Sequence, residues 1–271
     1  MAKITCDPAI YWHGNEKLLY DYIHRAAACG VDFFKLQLFN ASHLATPKWK
    51  EKKAFFLNNQ ITNDILSRAK ARIEEYGMQL TTTVNDTEVV KRIRDVDVRN
   101  IKIASGQIVE SMIAAITEFK WKRIFVSTGM LKDTIPLQMI TWLADVTEEL
   151  IVYHCVSLYP TEYSEVNLNR IYALREYFKE YDNIEIGYSD HGYDTFACVM
   201  ALGMGVSYIE KHFKIEGAFG PTCEEVSADE DEMAELCMMA KQQNKILGKE
   251  TLAMHPREQE NIDHYQGRFL I

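Results

Sequence analysis

The sequence predicts an α/β fold of the (β/α)8 TIM-barrel type, formed as a single domain over residues 1–271. Eight short runs typical of buried strands recur along the chain, helical patterns separate them, and each run ends in polar residues. Alternating strands and helices are joined in known folds by right-handed crossovers between parallel strands. Barrels of this kind are about 250 residues long and carry their active sites at the carboxyl ends of the strands. The polar strand ends therefore predict one functional mouth.

The predicted strands are apolar or β-branched runs of similar length. They cover residues 3–7, 33–38, 79–84, 100–105, 123–128, 150–156, 185–190 and 207–213. Apolar residues at helical spacing predict helices over residues 16–29, 62–76, 167–178, 195–202 and 229–247. Gly30 and Gly77 are stop signals for the first two helices, and Thr62 or Asn63 can cap the second.

Two segments depart from this alternation. Residues 39–60 form a connection too long for a simple loop, and an ordered loop of that size is usually a lid or an interface arm. Residues 254–271 are polar and weakly periodic, which predicts a C-terminal tail that packs late or against a partner.

Composition and charge exclude several classes of protein. The formal net charge of −9 and the lack of a basic stripe argue against a nucleic-acid partner, because such binding relies on clustered Lys and Arg. No apolar run approaches the roughly 18 residues of a membrane span, and the N-terminus lacks the layout of a secretory signal. Six cysteines without a CxxC motif are typical of reduced thiols. A cytoplasmic protein without membrane contact is therefore expected.

Polar residues in the strands recur with a period of two, so several share a strand face. The pairs are Lys35 with Gln37, Thr81 with Thr83, Tyr188 with Asp190, and Glu210 with His212. Each residue singly has a structural explanation, such as a hydrogen-bonded core histidine. If all these faces point into the barrel, however, burying them is costly unless a ligand or metal satisfies them. Their joint placement therefore favours a functional site.

Two chemistries are indicated by the residue types. Lys102, Ser105, Ser127 and Thr83 offer a cation and hydroxyls beside glycines, which suits a phosphate, and Lys35 adds a cation suited to a carboxylate. His154 and His212, on the sixth and eighth strands, could share a divalent ion through neutral imidazoles. Cys155 would then lie on the opposite strand face, in the core.

Five motifs, in their order and spacing, resemble the sialic acid synthase (N-acylneuraminate synthase) family. They are KIASG at 102–106, STGM at 127–130, HCVSLYPT at 154–161, GYSDH at 187–191 and EKHF at 210–213. The resemblance extends to residues 30–37, to His13-Gly14 and to Asn167-Leu168, and so covers nearly the whole chain.

The resemblance implies condensation of phosphoenolpyruvate with an open-chain aldose, such as an N-acetylmannosamine-like sugar, to a 2-keto-3-deoxy sugar acid with release of phosphate. It implies a divalent Mn²⁺ or Mg²⁺ held by His154 and His212, which polarises the aldehyde. The implied catalytic residues are Lys35, Lys102, Asp190, Glu210 and Gln37. The implied substrate-binding residues are Asp7, His13, Thr83, Ser105, Gln107, Ser127, Ser157 and Tyr159. A homodimer is expected on the same grounds.

The sequence also departs from the family pattern, mostly on the acceptor side. The first-strand glutamate falls at Pro8, with Asp7 one residue earlier, and the acid that follows KIASG is Gln107. The usual STPFD reads TTVND at 82–86, and the PGPDH segment reads FGPTC at 219–223. The chain stops about where a linker to the C-terminal antifreeze-like domain would begin. These changes predict an acceptor other than the standard sugar.

Two other hypotheses stay open at this point. A diverged, non-catalytic barrel acting as a binding or scaffold subunit would explain the two lost acids. An unrelated metal-dependent barrel aldolase or isomerase would explain the histidines but not the ordered motifs.

Overall fold

The chain folds as the predicted barrel. A computed structural model describes residues 1–44, 47–217 and 223–268. In it eight parallel strands follow one another in chain order, and the first pairs with the eighth to close the barrel. Their bounds are β1 (Lys3–Asp7), β2 (Phe33–Leu38), β3 (Gln79–Val84), β4 (Asn100–Ile103), β5 (Trp121–Ser127), β6 (Thr147–Cys155), β7 (Ile184–Asp190) and β8 (Tyr208–Phe213). A short β9 (Ser227–Ala228) pairs with β8 from outside the closed ring.

Helices surround the strands, as the alternating pattern predicts. In the described residues they are α1 (Glu16–Cys29), α2 (Pro47–Lys50), α3 (Lys53–Asn58), α4 (Asn63–Glu75), α5 (Thr87–Arg92), α6 (Glu110–Thr117), α7 (Ile135–Ala144), α8 (Tyr163–Val166), α9 (Arg170–Phe178), α10 (Phe196–Gly203), α11 (Glu230–Leu247) and α12 (Gln259–Tyr265). The bounds of α1 agree with the prediction because both ends are marked locally. The Asn15 side chain accepts hydrogen bonds from Lys17 N and Leu18 N, and Gly30 ends the helix at φ +85°.

The long connection after β2 is not a bare loop. Its described residues form a 3₁₀ turn at Ala41–His43 followed by α2 and α3. It packs against the β1–α1 connection, where the Trp12 indole donates to Asn59 O at 3.1 Å and Asn58 Nδ2 donates to His13 O at 2.8 Å. This segment therefore forms part of the rim of the mouth; Ala45 and Thr46 lie outside the described residues.

A layer of mostly aromatic side chains fills the barrel interior and shows which face of each strand points inward. Its members are Phe33, Phe125, Ile151, Tyr153 and Tyr208. The ring centroids of Phe33 and Phe125 are 5.4 Å apart, although Phe33 lies on β2 and Phe125 on β5, which are not neighbours in the sheet. Residues two positions further along each strand share this inner face, whereas their immediate neighbours face the helices.

Polar side chains close the barrel at the amino ends of the strands, below the aromatic layer. Arg123 pairs with Glu149 at 2.7 Å, and the hydroxyl of Tyr208 donates to the other carboxylate oxygen at 2.7 Å. Gln79 accepts from Arg123 at 3.0 Å, and Lys3 donates to the Tyr208 hydroxyl at 3.2 Å. We call these five residues the lower plug. Because they close the amino ends of the strands, the barrel is open at the carboxyl ends.

The C-terminal segment does not pack on the barrel over its described length. From residue 249 to 268 the residues whose burial is described are exposed, apart from half-buried Ile262. Among the described residues, none of the helices combines the length and the apolar character needed to cross a membrane.

Candidate active site

Strand register places a ring of polar residues on the inner face at the mouth. Cα partners in a parallel pair point to the same face, and the register matches Asp7 with His212, Gln37 with Thr83, and Ser189 with Glu210. Members of the aromatic layer lie two residues before inner-face positions of the mouth, as Phe33 does before Lys35 and Tyr208 before Glu210. The mouth is thus built directly on top of the packed interior.

The centre of this ring is Glu210, whose carboxylate is shared by two buried lysines. Its Oε1 accepts hydrogen bonds from Lys35 Nζ at 2.7 Å, from Lys102 Nζ at 2.6 Å and from Ser189 Oγ at 3.1 Å. Lys35 also pairs with Asp7 Oδ2 at 2.8 Å. Two cations and two carboxylates therefore balance one another at the floor of the mouth, with side chains at most 7% exposed.

The charges in this cluster set one another's protonation. Burial alone would raise the pKa of Glu210, but Lys102 and Lys35 hold it well below its usual range. Burial alone would lower the pKa of Lys35, but Asp7 and Glu210 raise it above its ordinary value. Burial lowers the pKa of Lys102, and Glu210 offsets only part of that effect. Both carboxylates are ionised at neutral pH, since Lys35 also lowers the pKa of Asp7 against the effect of burial.

The family's first-strand glutamate aligns with Pro8 in this sequence, but it is the neighbouring Asp7 whose side chain lies in the mouth. Its carboxylate accepts from Gln37 Nε2 at 3.1 Å and from Ala9 N at 2.8 Å, and its Oδ2 lies 3.4 Å from His212 Nδ1. The first strand therefore does supply an acid to the inner face.

A second group of predicted residues meets above Lys102, where β4, β5 and β6 end. Gly129 N donates to Ser105 Oγ at 3.1 Å, and Ser157 Oγ packs so closely that a Cβ at Gly129 would collide with it. We call Ser105, Gly129 and Ser157 the serine–glycine cluster. Ser127 is buried on the inner face two residues after Phe125, and buried Thr83 has a hydroxyl without a partner among the described residues. Backbone amides and hydroxyls in this arrangement suit an anion.

Two other predicted substrate-binding residues lie nearer the rim. Gln107 is half-buried in the 3₁₀ turn that follows β4. His13 is exposed in the β1–α1 connection, and its backbone oxygen accepts from Asn58. The sequence FGPTC at 219–223 lies outside the described residues except for Cys223.

The histidines that approach each other are His191 and His212. Their ring centroids are 5.5 Å apart, and the ring of Tyr159 covers His191 at 4.0 Å. His191 Nδ1 lies 2.7 Å from Val156 O and donates to it, which leaves Nε2 as the nitrogen for a ligand. Burial alone would lower the pKa of this ring, but Cys155 holds it above its ordinary value. Burial lowers the pKa of His212 to about 4, so its imidazole is neutral at physiological pH. A divalent cation binds neutral imidazole, so His212 suits one as it stands, and His191 would join it by giving up any proton on Nε2.

The prediction that His154 shares an ion with His212 is corrected by the register. His154 follows Tyr153, which points into the interior, so His154 faces the helices. There its Nε2 donates to Val166 O at 2.7 Å, and its ring lies 5.6 Å from that of Tyr188. Cys155 takes the inner position instead, with its Sγ 3.8 Å from His191 Nδ1. The faces assigned to His154 and Cys155 from the sequence are thus exchanged.

Asp190 needs the same correction. It shares a face with Tyr188 as predicted, but this is the outer face, since Ser189 between them points to Glu210. Asp190 accepts from the Tyr188 hydroxyl at 2.5 Å and forms an ion pair with Lys211. Its carboxylate therefore points away from the mouth, and not toward the acceptor or the attacking water as the sequence predicts.

Comparison with known sequences gives matches over most of the chain. A sequence model of the NeuB family matches residues 22–251. A protein of Methanocaldococcus jannaschii described as uncharacterized is 27% identical over 260 residues, covering 96% of this chain and 76% of that protein. The N,N'-diacetyllegionaminic acid synthase of Campylobacter jejuni is 25% identical over 279 residues, covering 96% of this chain and 81% of that enzyme.

Comparison with solved structures gives the same fold. The N-acetylneuraminic acid (sialic acid) synthetase of Leptospira borgpetersenii superposes with a TM-score of 0.86 at 23% identity, covering 98% of this chain and 92% of that one.

Proposed function

The chain belongs to the NeuB family, and from that membership we propose that it condenses phosphoenolpyruvate with an open-chain aldose to give a 2-keto-3-deoxy sugar acid and phosphate. The relatives named above include an N,N'-diacetyllegionaminic acid synthase, which supports synthesis of a sugar acid. The observation that carries the proposal is the pair of buried lysines that share Glu210 beneath the serine–glycine cluster.

Donor binding is an exchange of ionic partners at this floor. The carboxylate of phosphoenolpyruvate can replace Glu210 or Asp7 as the partner of Lys35. Its phosphate can replace Glu210 as the partner of Lys102. The serine–glycine cluster and Ser127 then supply hydroxyl and amide donors to the phosphate oxygens. Charge-assisted hydrogen bonds of this kind are the strong ones in buried sites.

Carbon–carbon bond formation requires that C3 of the enol attack the aldehyde carbon, whose oxygen takes up one proton. Water then adds to C2 and gives up one proton. The C2 hydroxyl becomes the ketone as phosphate departs with cleavage of its C–O bond, and the second proton leaves with the phosphate. Glu210 and Asp7 are the ionised carboxylates at the floor that can accept the proton of water. Each becomes a stronger base once the donor's charges replace it on the lysines, because the cations that lower its pKa are then neutralised.

The residues that would hold the divalent ion are His191 and His212 on the acceptor side of the mouth. A Mn²⁺ or Mg²⁺ bound there would act as a Lewis acid on the aldehyde oxygen. Tyr159, half-exposed above His191, and Gln37, bonded to Asp7, face the same space and position the acceptor. With a neutral Gln107 in place of an acid, the acceptor is proposed to differ from N-acetylmannosamine.

The presence of Asp7 on the inner face favours catalysis over a non-catalytic scaffold. The loss of a first-strand acid was one of the two reasons for the scaffold hypothesis, and Asp7 supplies that acid through contacts with Lys35, Gln37 and His212.

The test is release of phosphate from phosphoenolpyruvate with Mn²⁺ across a panel of aldoses that includes N-acetylmannosamine. We expect release that depends on one class of aldose and is abolished in Lys102→Met. The control variant Lys91→Met alters an exposed lysine on α5 and should leave the rate unchanged. No release with any aldose from a folded, metal-loaded protein would contradict the proposed function.

A further inference from the structure

A second buried ion pair lies behind the mouth, on the outer face of β7 and β8. Lys211 and Asp190 are Cα partners in the strand register, and both side chains are 0% exposed. Asp190 also accepts from the Tyr188 hydroxyl, and Lys211 Nζ donates to Gly192 O at 2.7 Å. We call Lys211 and Asp190 the rear ion pair.

The neighbours of this pair in the sequence are residues of the mouth. Lys211 lies between Glu210 and His212, which point inward, and Asp190 immediately precedes His191. The rear ion pair therefore joins the two backbone segments that carry the imidazoles. Its bond to Gly192 O holds the turn on the far side of His191 as well.

Other contacts fix His191 from the opposite side. Its backbone oxygen accepts from Thr161 N at 2.9 Å, and its Nδ1 lies 2.7 Å from Val156 O. The ring is thus held between the segment after β6 and the rear ion pair. A change at the pair would move His191 relative to His212, whose own backbone is the next residue after Lys211.

Stability alone gives no reason for charges at this place. A fully buried ion pair is on average no more stabilising than apolar residues of similar volume, because the cost of desolvation offsets the attraction. Partners behind ligands, by contrast, orient those ligands and commonly change metal affinity by about 10- to 100-fold.

We propose that the rear ion pair is a positioning device that sets the separation and direction of the His191 and His212 imidazoles, and thereby the affinity of the mouth for its divalent ion. This inference rests on the proposed function, since it assumes that the two imidazoles bind the ion. Lys211 and Asp190 act only through their neighbours and touch neither substrate nor ion.

The test is the dissociation constant of Mn²⁺ alone, measured from the electron paramagnetic resonance signal of the free ion. The double variant Lys211→Met/Asp190→Asn replaces both charges by neutral side chains of similar size, so no single charge stays buried. We expect its affinity for Mn²⁺ to fall by about 10- to 100-fold.

A matched control is Arg123→Met/Glu149→Gln, which removes an ion pair from the lower plug at the far end of the barrel. It should lower the thermal unfolding temperature but leave the Mn²⁺ affinity at the wild-type value. A purely structural role for the rear ion pair would make the two double variants behave alike.

A third variant keeps the test decisive if the first double variant does not fold. Tyr188→Phe removes only the hydrogen bond to Asp190, and we expect a smaller, few-fold loss of Mn²⁺ affinity. Wild-type affinity in every folded variant of this cluster would overturn the inference and leave the proposed function standing. A wild-type protein that binds no Mn²⁺ would overturn both.

Discussion

At the scale of single residues, one position along a strand decides which side chains belong to the site. The run LIVYHCV is apolar on both sides of His154, as is usual for a strand buried on both faces, so its sequence does not show which face is inward. Glu210 and His212 were grouped correctly because both are polar and both lie on the inner face. His191 was missed as a partner of His212 because it follows the end of β7, where strand alternation no longer applies.

The two candidate histidines can be separated by metal binding. We expect His191→Gln to weaken Mn²⁺ binding by more than the roughly 10- to 100-fold typical of residues that act behind a ligand. His154→Gln should bind Mn²⁺ like the wild type, because glutamine can still donate to Val166 O on the outer face. Calorimetric titration of both purified variants decides the matter; loss of binding in His154→Gln alone would restore the assignment made from the sequence.

His154 should instead affect stability in acid. Burial lowers its pKa to about 4 from an ordinary value of 6.5, so between these two values the unfolded chain binds more protons than the folded one. The free energy of unfolding therefore falls as the pH decreases from about 6.5 to about 4 and levels off below, with a contribution of about 3 kcal/mol.

Urea denaturation of wild type and His154→Gln at a series of pH values measures this difference. The variant should lose less stability than the wild type across that window. Parallel curves would show that His154 titrates normally in the folded protein.

At the scale of elements, the sequence predicts most where local signals and periodicity agree. The bounds of β1, β2, β3 and α1 match, and α4 begins after the cap at Thr62. The short helices after β2 were not predicted, because pieces of four to six residues have too few turns to show a period. The serine–glycine cluster is made by three connections far apart in the chain, so its residues could be named from the sequence but not their contacts.

The close approach at Gly129 makes a specific prediction for donor binding. A methyl group there would collide with Ser157 Oγ and lie 2.8 Å from Ser105 Oγ, so Gly129→Ala must displace both hydroxyls. Losing one hydrogen bond to a charged ligand costs about 1.5–3 kcal/mol, or about 10- to 100-fold in affinity. Calorimetric titration with phosphoenolpyruvate should show that loss.

Gly203→Ala is the matched control, since a Cβ at this end of α10 meets no atom within 4 Å. Its affinity for phosphoenolpyruvate should equal that of the wild type. If Gly129→Ala also binds normally, the donor phosphate does not lie at the serine–glycine cluster.

At the scale of the whole molecule, the closed barrel brings residues from five strands, β1, β2, β4, β7 and β8, to one floor. The fold could be predicted because eight similar segments repeat, and the family could be predicted from motifs that cover nearly the whole chain. The sharing of Glu210 between Lys35 and Lys102 could not, because Lys35 and Glu210 are 175 residues apart in the chain. Only the register of the closed sheet determines which of the buried charges meet.

Ligand binding at this floor should stabilise the whole barrel. A ligand at 100 times its dissociation constant adds about 2.7 kcal/mol to the free energy of unfolding, which for a domain of this size raises the melting temperature by about 5–10 °C. Calorimetric melting with phosphoenolpyruvate should show this shift in the wild type and in Lys91→Met, but not in Lys102→Met. An equal shift in Lys102→Met would show that Lys102 does not bind phosphoenolpyruvate.

The lower plug has a consequence for the kinetics. With Arg123, Glu149 and Tyr208 closing one end, both proposed substrates must pass through the same opening. The lysines proposed for the donor lie at the bottom, whereas Tyr159 and Gln107 lie near the rim. A sugar seated first would block the way down, so for the proposed reaction we expect a compulsory order of addition with phosphoenolpyruvate first. Initial-rate and product-inhibition patterns should show that order, and a random pattern would mean that the rim opens during turnover.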